Sequence, residues 1–467
     1  MIFKIWNMFD KQIYIDRRNT LKNRVSSGVI LFFGNELSPV NYADNEFRFR
    51  QDSTFLYYFG VNTPSVAAII DIDQDKEFVF GDPATLDSVV WTGKLPTLNE
   101  QAEVFGVTDV LPLIGLTKHI EKAQRNKRII HFFPQYRPEN KIKLHQLLGL
   151  SFGEIEKTYS IELVKAIVSQ REIKSEEEVD EIEKAVNISI DMHIAAIRMA
   201  KPGMLEHEIA AEVNRIPLAH GGDIAFPIIA TINGQTLHNH YHGNVIKEGD
   251  LFLLDAGAEL SSGYCGDLSS TFPVSQKFTT QQKEIYNLSL KAHQAAIAKM
   301  VPGIPFVEVH FEACRTIVNG MKELGLMKGD TEDAIYSGAH AIFFPCGTGH
   351  MMGLDVHDME NLGEVWVGYN GKAKSTQFGL KSLRLAKPVL PGFVFTIEPG
   401  IYFIPDLIDR WMADKINAQF LNFDKINAFR GFGGIRNEEN ILITPDGARV
   451  LGRPFSKIAE EIEKLRV

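Results

Sequence analysis

The sequence has few of the features that mark secreted, membrane-spanning or nucleic-acid-binding proteins. Its only cysteines, Cys265, Cys314 and Cys346, are odd in number and widely spaced, so neither a disulfide framework nor a Cys-rich zinc site is indicated. No apolar run approaches the length of a membrane span. The 49 lysines and arginines are outnumbered by 59 acids and form no basic run, which argues against nucleic acid or an anionic membrane as a partner.

The start of the chain also lacks the pattern of a signal peptide. Its opening, MIFKIWNMFDK, has only a short apolar stretch and no small-residue cleavage site. The composition, 45% hydrophobic and 23% charged over 467 residues, is that of a globular protein with two or three domains. We therefore expect a soluble, cytoplasmic protein that binds neither nucleic acid nor membranes.

Short apolar runs alternate with helical stretches over the first 170 or so residues. GVILFFG (28–34), SVAAIIDID (65–73) and KEFVFGD (76–82) have the length and composition of strands. IYIDRRNTLKNRV (13–25) has the pattern of a helix. This alternation predicts a mixed α/β domain with a covered sheet.

A long amphipathic helix is predicted to open the second part of the chain. Ser175 and Glu178 form a capping box, the early acids suit the positive helix end, and Pro202-Gly203 ends the helix. The charged stretch around its start, SQREIKSEEEVDE, is typical of a linker that leads into a new domain. We therefore place two domains at residues 1–172 and 173–467.

The second part contains a weak internal repeat. RMAKPGMLEHEIAAEVNR (198–215) resembles KMVPGIPFVEVHFEACR (299–315), each with a helix, a Pro-Gly break and a second helix that carries glutamate. Two copies are too few for a solenoid. They favour a duplicated unit of two helices and strands, with its halves facing each other across a cleft.

Acidic residues lie at the ends of apolar, strand-like runs, where an unpaired carboxylate is costly. DLFLLDAGAE (250–259) holds Asp255 and the following SSGYCGDLSSTFPV (261–274) holds Asp267, so a strand–turn–strand arrangement would bring both to one sheet face. Further along, the acids and a histidine stand in GHMMGLDVHD (His350), GFVFTIEPGIYF (Glu398) and GGIRNEENILIT (Glu438). Three or four carboxylates with one imidazole suit manganese, iron, cobalt or zinc, and manganese best. Four carboxylates around one ion would be excess charge, whereas two ions about 3.5–4 Å apart would neutralise them.

Each of these residues also has an ordinary interpretation. A single aspartate at a strand end is more often a turn residue or cap than a ligand. Glu398 before a proline would suit a strand end at the surface, and a lone His350 would suit a hydrogen-bonded core position. Taken together, the ordinary interpretations become less attractive, because they require four separate explanations. Spacing alone nevertheless leaves both the ordinary interpretations and a metal site open.

In this order, the five stretches resemble the metal signature of the M24 "pita-bread" metallopeptidases, most closely the aminopeptidase P and prolidase branch. FRFRQDSTFLYYFGV (47–61) resembles the strand-rich segment of that branch's N-terminal domain, and residues 175–450 resemble its catalytic domain. The resemblance implies an α/β (α+β) protein. It would have an aminopeptidase P-like α/β domain followed by a pita-bread catalytic domain with a pseudo-two-fold repeat of helices and strands.

The resemblance also implies a dinuclear site for divalent ions, expected as Mn²⁺ with Zn²⁺, Co²⁺ or Fe²⁺ as alternatives. The implied ligands are Asp255, Asp267, His350, Glu398 and Glu438. Asp267 and Glu438 would bridge the two ions, and Glu398 would also act as the catalytic base.

Further residues are matched to the branch as groups that contact the substrate or take part in catalysis. His357 corresponds to a histidine that contacts substrate rather than metal. His238 lies 17 residues before Asp255, the spacing of the family's upstream substrate histidine, with His240 as the rival assignment. Arg436, two residues before Glu438, matches an arginine of the branch.

The chain departs from the branch at three points. Asp255 and Asp267 are 12 positions apart, one more than usual. Ser270 stands where arginine is common, and Cys346 stands where many members have another histidine. These departures bear on substrate preference and rate, because none of them removes a ligand.

The activity implied is that of an Xaa-Pro aminopeptidase, which hydrolyses the bond between an N-terminal residue and a penultimate proline. A prolidase, restricted to Xaa-Pro dipeptides, uses the same ligands and is the nearest alternative. An inactive peptide- or protein-binding module on the same fold is a remote alternative. Because all five ligands are present, this module and a creatinase-like hydrolase are both disfavoured. The expected partners are peptides with proline at the second position, and the chain is expected to form a homodimer or homotetramer.

Overall fold

A computed structural model describes residues 9–466 of the chain. Most of the opening on which the signal-peptide expectation rests lies outside the described residues. Within residues 9–466, no helix combines the length and apolarity needed to cross a membrane. The chain separates into two compact units, one containing residues up to Arg171 and Asn361–Trp366, and the other containing Glu172–Glu360 and the remainder from Val367.

The first unit alternates helices and strands. Its helices are α1 (Lys11–Arg24), α2 (Ser53–Phe59), α3 (Leu86–Thr92), α4 (Leu98–Val104), α5 (Ile114–Arg125), α6 (Pro138–Leu148), α7 (Phe152–Ile155) and α8 (Ile161–Arg171). Its strands are β1 (Val29–Phe33), β2 (Pro39–Tyr42), β3 (Asn45–Glu46), β4 (Ala67–Asp71), β5 (Lys76–Phe80), β6 (Asp109–Leu111) and β7 (Ile130–His131). The helix and the three strands expected from the sequence of this region are therefore confirmed.

A five-stranded mixed sheet in the order β6-β5-β4-β1-β7 forms the centre of this unit. Every residue of β1 is buried because both faces of the sheet are covered. Alternate side chains such as Val29 and Leu31 join a core with residues of α5 and α6. On the opposite face, Phe32 packs against Tyr58 and Phe59 of α2.

The expectation of a strand-rich segment at 47–61 is wrong, because residues 47–52 form no strand and residues 53–59 form α2. The side chain of Asp52 caps this helix by accepting a hydrogen bond from the backbone N–H of Phe55. Gly60 ends it in the left-handed conformation, with φ of 64°. The two caps fix about two turns of helix in an aromatic-rich sequence whose composition is equally typical of a strand.

The second unit contains the remaining elements. Its helices are α9 (Glu176–Met199), α10 (Glu206–Ala219), α11 (Thr280–Lys299), α12 (Phe306–Glu323), α13 (Thr331–Tyr336), α14 (Glu364–Val367, shared with the first unit), α15 (Pro405–Ala413), α16 (Phe423–Asn427) and α17 (Ala459–Leu465). Its strands are β8 (Asp223–Ile224), β9 (Ile229–Thr231), β10 (Leu251–Ala256), β11 (Ala258–Glu259), β12 (Leu268–Pro273), β13 (Val394–Ile397), β14 (Gly400–Tyr402), β15 (Gly434–Arg436), β16 (Glu439–Thr444) and β17 (Gly447–Val450). Short 3₁₀ turns occur at Ala339–Ile342, Glu360–Leu362 and Leu380–Ser382.

The internal repeat of the sequence corresponds to two packed helix pairs, α9 with α10 and α11 with α12. Ser175 and Glu178 form the expected capping box of α9. Each pair is followed by antiparallel strands, in the order β12-β10-β9 after the first and β13-β16-β17 after the second. The two small sheets adjoin, since the N–H of Glu438 donates to the carbonyl of Ser269 on β12. The acids singled out in the sequence lie around this junction.

Candidate metal centre

Asp255 and Asp267 reach the same sheet face through the pairing of β10 with β12. Asp255 lies opposite Ser269, and Asp267 lies just before β12, two positions further along. Two positions along a strand return a side chain to the same face. The backbones meet closely beside them, because a Cβ added to Gly257 would lie 1.8 Å from the carbonyl oxygen of Gly266.

His350 and Glu398 are held by a second backbone pairing. The N–H of Thr396 donates to the carbonyl of His350 at 3.0 Å, and the N–H of Glu398 donates to the carbonyl of Thr348 at 2.7 Å. A Cβ added to Gly349 would lie only 1.9 Å from the carbonyl oxygen of Thr396, so only glycine allows this approach. The pairing holds the imidazole Nε2 of His350 3.8 Å from Oε1 of Glu398.

Glu438 enters from the break between β15 and β16. Its Oε2 accepts a hydrogen bond from the hydroxyl of Ser269 at 2.7 Å. Two residues on, the Asn440 side chain accepts from the N–H of Asp267 at 3.0 Å and donates to its carbonyl at 2.5 Å. These contacts align the backbones that carry Asp267 and Glu438.

The five side chains come together as a cluster whose centre consists of three of them. Ligand atoms of Asp267, His350 and Glu438 all lie within 4.8 Å of one another. His350 Nε2 is 3.4 Å from Oδ2 of Asp267. Oδ1 of Asp267 is buried and has no hydrogen-bond partner among the described residues, which is costly for a carboxylate oxygen that no cation neutralises.

Burial and crowding shift the protonation of these carboxylates in the metal-free chain. Burial, with the repulsion of Asp255, raises the pKa of Asp267 well above its ordinary value. Burial, with repulsion from Asp267, Glu398 and Asp255, does the same to Glu438. Burial raises the pKa of Glu398 to about 7, although the nearby His350 and Arg436 oppose the shift.

The cluster fits divalent cations on this evidence. It contains four carboxylates and one imidazole, whose pKa is lowered by burial so that its nitrogen stays neutral and able to ligate. Ions that displaced the retained protons would satisfy the unpartnered oxygen of Asp267 and remove the mutual repulsion. The oxygen-rich composition matches hard or borderline divalent metals.

His357 lies beside this cluster, with its ring centroid 3.9 Å from that of His350. Its Nδ1 is 2.5 Å from the carboxylate of Glu360, which also forms an ion pair with Arg384. Burial would raise the pKa of Glu360, but the hydrogen bond from His357 and the charges of His357 and Arg384 outweigh it and lower the pKa to about 2. An ionised Glu360 fixes the proton of a neutral His357 on Nδ1, which leaves Nε2 as an acceptor.

Arg436 is fully enclosed in the site and holds Asp255 from behind. Its guanidinium donates to Oδ2 of Asp255 at 2.5 Å, to the hydroxyl of Tyr402 at 2.9 Å and to Ser269 at 2.9 Å. The Ser269 hydroxyl in turn donates to Glu438. Arg436 therefore orients Asp255 directly and Glu438 through Ser269.

Of the three neighbouring histidines upstream, His238 and His240 line the pocket in front of the cluster. The pKa of His238 is lowered, mainly by burial and then by the charge of Arg436. His242 instead forms a hydrogen bond through Nε2 with the backbone carbonyl of Ile228, so its ring stabilises the local backbone conformation. Both histidines named from the sequence, His238 and His240, therefore lie at the pocket.

The pocket has a volume of about 560 Å³ and contains every residue matched to the family site. It also contains residues that no sequence pattern singled out, among them Phe226, Ser382 and Arg384. Glu360 follows His357 by three positions, so its contact with His357 could have been inferred from the sequence if the local turn had been known. Arg384 stands in SLRLAKP, which contains no recognisable signal.

The positions that depart from the family pattern have defined surroundings. The Ser270 hydroxyl meets His193 Nδ1 at 2.9 Å and Nζ of the buried Lys457 at 2.9 Å. Lys457 thus places a cation from the end of the chain beside a position where the branch commonly has arginine. Cys346 lines the pocket, and burial together with the charge of Glu398 raises the pKa of its thiol to about 12, so the thiol stays protonated.

The link between Asp255 and Asp267 is more than a tight hairpin turn. Within it, β11 pairs with β8, and Glu259 forms an isolated bridge with Cys265. The added residue is therefore accommodated in a loop with pairing of its own.

Family comparison identifies this arrangement. The family model of metallopeptidase family M24 matches residues 180–445, more than half of the chain. The chain belongs to metallopeptidase family M24. The model of the aminopeptidase P N-terminal domain matches residues 14–131. These matches confirm the expected architecture of an aminopeptidase P-like domain followed by an M24 domain.

M24 relatives of both expected activities are similar over almost the full chain. A probable Xaa-Pro aminopeptidase of Fusarium vanettenii is 32% identical over 89% of this chain and 87% of its own length. The Xaa-Pro dipeptidase of Homo sapiens is 29% identical over 94% of this chain and 88% of its own. Proline aminopeptidase P II from Yersinia pestis has a TM-score of 0.81 and 28% identity, covering 98% of this chain and 99% of its own. Aminopeptidase P from Escherichia coli with the inhibitor Pro-Leu has a TM-score of 0.80 and 28% identity, covering 98% of each chain.

As an M24 metallopeptidase of the Xaa-Pro aminopeptidase and prolidase group, the protein is a peptidase that uses divalent metal ions. Peptides that contain proline are the substrates this group implies. Both activity names occur among relatives at about 30% identity, so the family assignment does not choose between them.

Proposed function

We propose that this protein is an Xaa-Pro aminopeptidase, which removes the N-terminal residue from peptides whose second residue is proline. The observation that carries the proposal is the buried cluster of carboxylates and one histidine that opens into a pocket of about 560 Å³. We assign two divalent ions to the cluster, with Mn²⁺ as the preferred metal because carboxylates predominate. The proposed ligands are Asp255, Asp267, His350, Glu398 and Glu438.

When bound, two such ions would lower the pKa of water toward neutrality and neutralise the carboxylates. Arg436 holds the Asp255 carboxylate, and Ser269 holds that of Glu438, so both arrive oriented. Asp267 and Glu438 are the residues that the two ions would share, and Oδ1 of Asp267 has no hydrogen-bond partner among the described residues.

Glu398 is the proposed general base. Its pKa of about 7 in the metal-free chain shows how strongly the buried site favours a proton on this carboxyl. It would take a proton from the attacking water and pass it to the proline nitrogen as the C–N bond breaks. That nitrogen carries no hydrogen in the peptide, so it leaves as an amine only if it receives this proton.

His238 and His357 are the proposed substrate contacts. His357, held at Nδ1 by Glu360, would present Nε2 to the substrate as an acceptor. His238, exposed in the pocket lining, would donate its ring N–H to the scissile carbonyl oxygen and stabilise the negative charge that develops there.

An Xaa-Pro dipeptidase is the second candidate, and the position of Arg384 favours it. The Arg384 side chain lines the same pocket. A dipeptide ends in a carboxylate immediately after the proline, and a guanidinium is a suitable partner for such a group. In a longer peptide an amide occupies the same position, and its interaction with the guanidinium is weaker than that of a carboxylate.

The deciding experiment compares an Xaa-Pro dipeptide with an Xaa-Pro-Yaa tripeptide, using metal-stripped protein with and without added Mn²⁺. Metal-dependent release of the first residue from the tripeptide is expected, and the Glu398→Gln variant should lose it. Cleavage of the dipeptide alone would replace the proposal with the dipeptidase. Cleavage of neither by a protein with bound metal would contradict both, and failure to take up metal would contradict the ligand assignment.

A separate variant tests the role of Arg384. If Arg384 binds a dipeptide carboxylate, Arg384→Met should raise KM for the dipeptide by about tenfold, the effect of about 1.4 kcal/mol, and change KM for the tripeptide much less. Equal effects on the two substrates would contradict that role.

A further inference from the structure

A second group of metal-binding side chains lies apart from the carboxylate cluster. His310 and Cys314 are one helical turn apart on α12, and His340 lies in the 3₁₀ turn Ala339–Ile342. One ligand atom from each of the three lies within 4.8 Å of the other two. His310, Cys314 and His340 are fully buried.

The two histidines of this group differ in their hydrogen bonding. His310 Nδ1 is 2.8 Å from the hydroxyl of Thr348, which orients the ring and leaves Nε2 toward Cys314. Neither ring nitrogen of His340 has a hydrogen-bond partner among the described residues, although the ring is buried. An imidazole buried with both nitrogens unsatisfied is costly, and binding an ion would satisfy one of them.

The separation of Cys314 Sγ from His310 Nε2 matches that of two donors on one tetrahedral ion. Zinc bonds of roughly 2.0–2.1 Å to imidazole and roughly 2.3 Å to thiolate, at the tetrahedral angle, place the two donor atoms roughly 3.5 Å apart. The Sγ of Cys314 and Nε2 of His310 are 3.5 Å apart. The Thr348 hydroxyl holds the other nitrogen of His310, as the outer partner of a metal-bound histidine commonly does.

We propose that His310, Cys314 and His340 form a structural site for a thiophilic ion such as Zn²⁺, separate from the catalytic centre. A thiolate with two imidazoles selects zinc and similar soft ions, whereas the carboxylate cluster suits manganese. The ion would join α12 to the 3₁₀ turn at 339–342. Through Thr348 it would also support the segment that carries His350.

The protonation states of the three residues agree with this site. Burial lowers the pKa of His310 to about 3 and that of His340 to about 4, so both rings are neutral and able to ligate. Burial raises the pKa of the Cys314 thiol, which is therefore protonated without an ion. Binding would release that proton, as it does at other thiolate sites.

Cobalt substitution combined with cysteine variants distinguishes this site from the catalytic centre. Protein produced in minimal medium supplied with Co²⁺ should show a thiolate-to-cobalt charge-transfer absorption in the near ultraviolet, since only a sulfur ligand produces it. Cys314→Ser should abolish this band and reduce the cobalt content by one ion per chain. Cys346→Ser is the matched control and should keep the band, because Cys346 lies in the catalytic pocket rather than in this group.

A double variant keeps the test decisive if Cys314→Ser does not fold. In Cys265→Ser/Cys346→Ser, Cys314 is the sole thiol of the chain, and the band should remain. Absence of the band from wild-type protein that contains cobalt would overturn the proposal and leave the group as packed core histidines. Loss of the band in Cys346→Ser with retention in Cys314→Ser would also overturn it, by moving the thiolate to the catalytic pocket.

Discussion

Two adjacent glutamates in the sequence RNEEN have different environments in the folded protein. The carboxylate of Glu438 faces Asp267 and His350. The carboxylate of Glu439, the first residue of β16, lies 3.7 Å from His293 Nε2. The sequence predicts acids at this strand start, and the alternation of side chains along the backbone separates the two roles.

This pair supplies a matched test of the ligand assignment. Glu438→Gln should lose bound metal and reduce kcat/KM by more than the roughly 10–100-fold that removal of an outer-shell partner costs. Glu439→Gln should keep both the metal content and most of the activity. Metal content is measured by mass spectrometry and activity with the cleaved substrate. Equal loss of metal in both variants would count against Glu438 as a specific ligand.

The hydrogen bond between His357 and Glu360 makes a second prediction at this scale. Because Glu360 acts by holding the His357 ring, Glu360→Gln should lower kcat/KM, and the double variant with His357→Ala should be no worse than His357→Ala alone. The expected coupling is about 0.5–3 kcal/mol, measured by a double-mutant cycle at unchanged metal content. Additive effects would show that the two residues act independently.

At the scale of secondary structure, the sequence indicated the strands that carry the acids and the long helices, but not their close approaches. The strands around Asp255, Glu398 and Glu438 follow from apolar runs that end in turn residues. The helix α2 was missed because its aromatic composition suits a strand, while the caps at Asp52 and Gly60 decide the outcome locally. The contact of Gly349 with Thr396 depends on two segments that lie far apart in sequence.

Gly349 allows a direct test of this backbone approach. Gly349→Ala would place a methyl group against the carbonyl of Thr396, so the free energy of unfolding should fall by at least about 1–3 kcal/mol and metal binding should weaken. Gly431→Ala is the control, because a Cβ there meets no atom within 4 Å. Denaturant unfolding and metal titration are the measurements. If the two variants are equally stable, the proposed constraint at Gly349 is wrong.

At the scale of the whole molecule, buried neutral histidines should make the protein sensitive to acid. His193 lies behind the metal cluster, with Nδ1 on Ser270 and Nε2 donating to the carbonyl of Ala256. Burial, and then the charge of Lys457, lowers its pKa to about 3. Its contribution to stability is therefore present above the unfolded-state pKa of about 6.5 and is lost progressively as pH falls toward 3.

The expected slope is about 1.4 kcal/mol of unfolding free energy per pH unit within that window. His193→Gln should remove this slope, so the stability difference between wild type and variant should shrink as pH is lowered from 6.5 to 4.5. The exposed His207→Gln is the control and should leave the difference constant. Denaturant unfolding of metal-free protein at several pH values is the measurement. A pH-independent difference for His193→Gln would mean that its ring is protonated in the folded state.

The sequence by itself determined the family, the two kinds of domain and the five residues proposed as metal ligands. It could do so because those residues stand in short stretches whose residue types and order resemble the M24 signature, which each stretch carries without reference to the rest of the fold. Only the tertiary structure brought Arg384 to the pocket, placed Lys457 beside Ser270 and brought His340 to His310 and Cys314. Those groups are recruited from distant segments, and their contacts depend on how buried helices and strands pack, for which no local pattern in the chain provides a signal.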